Sequence, residues 1–326
     1  MKTFLFHLGV AATLVTPLAR ALAVDFGAGA AADLLIGKGY VSVPLGQALR
    51  QQGNGRFTLA DRNSALYAGG QISLELTDVG KAERDYFIDA SLIQGSSEGT
   101  FRDTSAYGSF LNTPTSNQYR LSETFQNAYL RTRIARDPGD SAVPTWQIQA
   151  RLGMNYVEGK LEGSLGLANS VVRSTQKTQD LLGNIGLEVD FSLRKLLPEG
   201  IRERTKDFKV VVDGEVFAGA RDTYFTEELS RADSLGGTTP PRDIDVASFV
   251  YGGIGRATLR YVMTLSDRDT STWYLTADLG LQSRYLLNEW DSLRDRDSGP
   301  DQPRLNVRAD ELLWGPYFRL GILCRW

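Results

Sequence analysis

The stretch Leu313-Trp-Gly-Pro-Tyr-Phe-Arg-Leu-Gly-Ile-Leu-Cys-Arg-Trp326 alternates apolar and polar residues almost without error. A period of two places neighbouring side chains on opposite faces of a β-strand. Trp314, Phe318, Leu320, Ile322, Cys324 and Trp326 share a face that carries no charge, while Tyr317, Arg319, Gly321 and Arg325 share the other. Such a strand has two homes. Its apolar face is the core of a soluble sandwich, or it meets lipid while the charged face lines the lumen of a transmembrane barrel.

The same alternation recurs upstream. Residues 66–77, 86–93, 125–135, 146–156, 185–194, 208–221, 249–264 and 273–285 each read as a strand, and 36–45 reads as a weaker one because it contains Pro44. Helical periodicity fits none of them as well. Connections alternate in length. Long segments at 46–63, 95–118, 158–178, 225–246 and 288–311 face short ones at 79–84, 136–144 and 266–270, with an intermediate one at 196–206. Long loops on one side and short turns on the other are a barrel pattern, and both ends on the short-turn side require an even strand number. The weak first strand makes the number ten.

Aromatic residues fit the same geometry. Trp146 and Tyr156, Trp273 and Tyr285, and Trp314 and Trp326 lie near opposite ends of one strand on its apolar face. Ten to twelve tilted residues span roughly 25–30 Å, about the height of an apolar band, and interfacial rings belong at its edges. The expected fold is therefore all-β: a transmembrane, antiparallel, up-and-down β-barrel of ten strands. Trp146, Tyr156, Trp273, Tyr285 and Trp314 form its aromatic girdle.

The N-terminal region points to export. Lys2, an apolar run from Phe4 to Pro17 and the small-x-small site Ala21-Leu22-Ala23 follow the plan of a cleaved signal peptide. The expected organisation is a signal peptide at 1–23, a short periplasmic lead-in at 24–35 and one outer-membrane barrel domain at 36–326. No later segment approaches the ~18 consecutive apolar residues of a spanning helix. Loss of Lys2 and Arg20 leaves 34 basic against 39 acidic residues, a net charge of −5, which argues against a nucleic-acid partner. The lone cysteine, Cys324, reads as a small apolar residue.

The predicted lumen face carries Arg131, Arg133, Arg151, Glu188, Asp190, Asp213, Glu215, Arg256, Arg260, Asp278, Arg284 and Arg319, with Glu75, Asp89, Arg194, Lys209, Arg221 and Arg325. Acids gather on the sixth and seventh strands, arginines on the fourth, eighth and tenth. Opposed charges across a narrow barrel either pair and fill it or enclose a small polar pore, and the pattern leaves both open. The only histidine, His7, lies in the signal region. Histidine-based triads, zinc motifs and acid–base chemistry are thereby excluded from the mature chain. Ten-stranded outer-membrane proteases match in strand number, but their histidine chemistry has no counterpart. No enzyme, no catalytic residue, no cofactor and no metal are expected. Gly252-Gly253-Ile254-Gly255 sits inside a strand pattern with no following helix, so it reads as strand glycines rather than a nucleotide loop.

The terminal aromatic, with Phe318, Leu320 and Ile322 at alternate positions before Trp326, resembles the C-terminal assembly signal of bacterial outer-membrane barrels. The ending at 314–326 further resembles the Gly-Pro-x-x-x-Leu-Gly-x-x-x-Arg-aromatic ending of Legionella-type major outer membrane proteins. Ala150-Arg-Leu-Gly-Met-Asn-Tyr-Val-Glu-Gly159 is similar to a Gly-Leu-Arg-Tyr strand of that family. This resemblance implies a porin-like barrel in the bacterial outer membrane and names no catalytic residue. The expected partners are outer-membrane lipid, lipopolysaccharide and the barrel assembly machinery, with a lean towards a monomer. The expected role is structural, or passage of small polar solutes through the charged lumen. The alternative is surface recognition or adhesion through the long extracellular loops.

Overall fold

The computed structural model describes residues 25–43, 58–79, 84–101, 116–137, 145–167, 170–193, 208–231, 238–268, 270–290 and 307–326. They form ten strands: β1 (Asp25–Val43), β2 (Thr58–Val79), β3 (Arg84–Phe101), β4 (Ser116–Arg136), β5 (Trp146–Leu167), β6 (Ser170–Ser192), β7 (Phe208–Arg231), β8 (Thr238–Arg268), β9 (Ser271–Trp290) and β10 (Val307–Arg325). Each pairs antiparallel with its neighbours in sequence, and β1 also pairs with β10, which closes the sheet. Ala30 lies opposite Ile322 on one side and Ile72 on the other. The architecture is a closed, ten-stranded, up-and-down barrel of the outer-membrane type. Closure removes the unpaired edges that an open sheet would present.

The alternation sorts the side chains as the period of two requires. Leu152, Ile185, Val216, Leu259, Leu279 and Leu320 point outward and are exposed, Leu152 by 63%. Arg151, Asn184, Glu215, Thr258, Asp278 and Arg319 on the same strands point inward. An exposed band this apolar is a lipid-facing surface. Of the girdle residues, Trp273 and Trp314 are exposed, while Trp146, Tyr156 and Tyr285 are half-buried on the outer wall. Tyr156 donates to Glu158 at 2.9 Å and Tyr285 to Asp310 at 3.2 Å, so each ring ends in a polar contact.

Two parts of the sequence reading are corrected. Residues 25–35, expected as a periplasmic lead-in, are the first half of β1, and the first strand runs over Asp25–Val43 rather than 36–45. Gly27 to Ala32 alternate in orientation, but glycine and alanine offer no hydrophobic contrast from which to read it. The segments 158–178 and 225–246, expected as long loops, are mostly strand: β5 reaches Leu167, β6 starts at Ser170, β7 reaches Arg231 and β8 starts at Thr238. There the polarity inverts. Glu158, Lys160, Lys177 and Asp222 point out, while Val157, Leu161 and Phe225 point in. The segment 1–23, expected as a signal peptide, and Arg194 lie outside the described residues.

Candidate functional site

The inward-facing charges of the described strands meet in the lumen, and they are stratified there. Nearest the end that carries Phe26 and Trp326 is a charged floor. Arg131 of β4 donates to both carboxylate oxygens of Asp89 on β3, through Nη2 at 3.1 Å and through Nε, and to Gln149 at 3.1 Å. Arg260 of β8 binds Asp278 of β9 with two hydrogen bonds, at 3.0 and 3.1 Å, and reaches Glu188 of β6 at 3.2 Å. Glu188 also accepts from Arg151 of β5 at 3.1 Å. Arg151 meets Glu215 of β7 at 3.4 Å, and Glu215 further accepts from Asn155 and Tyr129 at 3.2 and 3.4 Å. Arg319 of β10 binds Asp33 of β1 at 2.7 Å, and Tyr317 donates to the same carboxylate at 2.6 Å. Paired forks of this kind are the strongest charge-assisted contacts available to side chains.

Several further predicted lumen residues join this floor. Asp190 accepts from Gln147 at 2.8 Å and lies 3.9 Å from Lys209. Arg133 pairs with Asp85 at 2.7 Å, and Arg325 with Glu75 at 2.8 Å. Arg256 approaches Asp213 at 3.7 Å. The carboxylates of β6 and β7 are thus each held against cations rather than against one another. Among the described residues no set of three or more histidine, cysteine or carboxylate side chains is placed to hold a metal ion.

Above the floor lies an apolar layer. Leu35, Ala65, Tyr67, Leu313 and Tyr317 form one inward cluster, and Val157, Leu182, Phe217, Val250 and Leu286 form another. Phe125 packs against both. The layer is dense because aromatic rings lie flat over inward glycines on the next strand. Phe217 faces Gly252 in register, and Tyr67 faces Gly95. A Cβ on Gly252 would stand 2.8 Å from the Phe217 ring, and one on Gly95 2.3 Å from the Tyr67 ring.

A second charged layer caps the apolar one. Glu123 of β4 accepts from the Tyr67 hydroxyl and from Arg62 of β2, the latter at 3.3 Å. Arg62 also reaches Glu311 of β10 at 3.4 Å. Arg221 of β7 forks onto Asp180 of β6 at 2.7 and 2.8 Å and spans to Glu311 at 2.7 Å. Arg284 of β9 comes within 3.6 Å of Glu123, and its guanidinium stacks 4.5 Å from the Phe125 ring. In the closed ring of ten, β4 and β9 stand five strands apart and so face each other across the lumen.

Sequence reasoning missed Asp33, Arg62, Glu123, Phe125, Asp180 and Glu311 as lumen groups. Half of them, Asp33, Arg62 and Glu311, fell in segments read as loop or lead-in. The available signal was parity: Glu123 and Phe125 continue the inward register of Asn127 and Arg131 beyond the end of the apolar outer face.

No protein-family model matches the chain, and no curated protein matches its sequence. Solved structures do resemble it. The outer-membrane protease OmpT from Escherichia coli aligns over 92% of this chain and 96% of its own, with 12% identity and a TM-score of 0.43. The translocator domain of the autotransporter NalP from Neisseria meningitidis covers 99% and 97%, with 11% identity and a TM-score of 0.37. The toluene transporter TodX from Pseudomonas putida covers 93% and 88%, with 13% identity and a TM-score of 0.31. These likenesses concern the fold alone. They nonetheless correct one sequence expectation, that the chain is no enzyme: a protease stands among the barrels it is similar to, so the architecture does not exclude catalysis and that expectation is withdrawn.

Proposed function

We propose that the protein is a structural barrel of the bacterial outer membrane whose lumen is closed at rest. One observation carries this reading. Arg284 of β9 touches Glu123 and the Phe125 ring on the opposite strand β4. A wall-to-wall contact at that height, resting on two apolar clusters that Phe125 bridges, supports a lumen without an open water column from end to end. Hydrophobic constrictions block ions even where they are wide enough to pass them. The apolar outer belt and its aromatic edges support contact with outer-membrane lipid and lipopolysaccharide. Passage of small polar solutes requires this layer to open. The family reading, that of the Legionella-type major outer membrane proteins, rests on the stretches at 150–159 and 314–326 and agrees with such a barrel.

The test is single-channel recording of the refolded mature chain in a planar bilayer, with folding confirmed by heat-modifiable gel mobility. A folded, electrically silent barrel is expected. Steady ion-selective steps from the unmodified protein would overturn the closed-lumen reading in favour of a small porin.

A further inference from the structure

Between the charged floor and the apolar layer lies a cavity of about 90 Å³. A buried water needs roughly 10–15 Å³ measured this way, so the space suits several waters or one small polyatomic ion. Its lining is unbalanced: five arginines against three carboxylates. Arg131, Arg151 and Arg319 each donate hydrogen bonds to a wall carboxylate. Among the described residues, Arg256 and Arg284 do not. Arg256 has only the 3.7 Å approach to Asp213 and a ring contact with Tyr317, and its buried Nε has no hydrogen-bond partner. Arg284 has only the 3.6 Å approach to Glu123 and its two phenylalanine rings.

A buried guanidinium without acceptors is costly, and the cost falls when an anion supplies them. Arg256 and Gln282 lie directly opposite in the β8–β9 register, and Arg284 follows two residues further along β9, so all three face the cavity from one wall. Planar guanidinium forks and an amide side by side match the acceptors of a carboxylate or phosphate. Neutral Asn155 and Tyr129 line the cavity too.

From this geometry we infer that the lumen holds a binding site for one small oxyanion, a phosphate or a short carboxylate, formed by Arg256, Gln282 and Arg284. The bound anion supplies the hydrogen-bond acceptors that Arg256 and Arg284 lack and ties β8 and β9 together. The site shares Arg284 with the contact that closes the lumen, but anion binding at Arg256 and Gln282 does not depend on whether the barrel conducts.

The full chain is refolded in detergent with inorganic phosphate or with acetate at constant ionic strength, chloride serving as the balancing ion. Thermal unfolding is then followed by gel mobility and circular dichroism. The expected result is a saturable rise in unfolding temperature with at least one oxyanion over chloride. The rise should be lost in Arg256→Gln and reduced in Gln282→Leu, which removes the amide donor at nearly constant volume while leaving every charge in place. If Arg256→Gln does not fold, Gln282→Leu decides alone. No oxyanion-specific rise in the unmodified chain, or a rise retained in full by Gln282→Leu, would overturn the proposal and leave the cavity to water. Conductance of the unmodified protein with the anion response intact would sink the closed-lumen reading but not this one.

Discussion

Gly252 and Leu279 show how differently the two faces of one wall constrain a residue. Gly252 points inward, where an added Cβ would stand 2.1 Å from the Tyr285 carbonyl oxygen as well as against the Phe217 ring. A backbone oxygen cannot turn aside as a side chain can. Gly252→Val should therefore cost about 1–3 kcal/mol, the usual range for overpacking, or prevent folding. Denaturant titration of the refolded barrel reads this, and an unchanged midpoint would mean the ring does not lie over this position. Leu279 points outward and is 53% exposed. In water its replacement by arginine would be nearly free, but in hydrocarbon near mid-strand it should cost on the order of 2–4 kcal/mol. The comparison belongs in lipid vesicles, since equal stability of Leu279→Arg and the parent there would contradict the lipid-facing assignment. The glycine run 252–255 was legible as strand rather than loop because apolar residues continue the period on both sides. Its specific role beneath Phe217 was not legible, since that depends on register with β7.

At the scale of the strand, alternation was readable wherever large apolar residues stood against charged ones. It failed at both limits of that contrast. Gly27 to Ala32 in β1 are too small to mark a face, and the far halves of β5 to β8 invert the pattern because they project beyond the lipid belt. There Lys160 and Lys177 point outward and Val157 and Leu161 inward, the arrangement of an ordinary water-soluble barrel. Hydropathy read against one rule took this reversal for loop. The closing seam between β1 and β10 is where element identity has the sharpest consequence. The Trp326 amide donates to the Phe26 carbonyl at 2.8 Å, the Phe26 amide returns a bond at 3.4 Å, and the two rings stack with centroids 5.5 Å apart. Deleting Trp326 removes the backbone pair and the stack together, and should sharply reduce folded protein in outer-membrane fractions. Trp326→Ala keeps the backbone pair and should fall between the two. Normal accumulation of the deletion would show that the seam forms without its last pair and that the terminal aromatic is no assembly signal.

At the scale of the whole molecule, the lumen charges were legible as a set but their stratification was not. Sequence parity places a side chain inside without saying which distant strand it meets, and contacts between strands five apart follow only from ring closure. The contact that decides the lumen's state is therefore testable only as a pair. Removing Glu123 alone leaves Arg284 and part of Arg62 without a counter-charge, and losing one member of a buried pair costs roughly 3–5 kcal/mol. Removing both Glu123 and Arg284 leaves Arg62 its 3.4 Å contact with Glu311 and takes away the two side chains that meet across the lumen. The double variant Glu123→Ser/Arg284→Ser should thus be more stable than the sum of its singles predicts, by about 0.5–3 kcal/mol in a double-mutant cycle. Phe125 then loses the guanidinium stacked on it, and the apolar layer loses its central tie. Planar-bilayer recording should show brief openings in the double variant against silence in the parent. A double variant that is additive in stability and equally silent would mean that the clustered apolar side chains close the barrel by themselves, with the ion pair only resting on top of them.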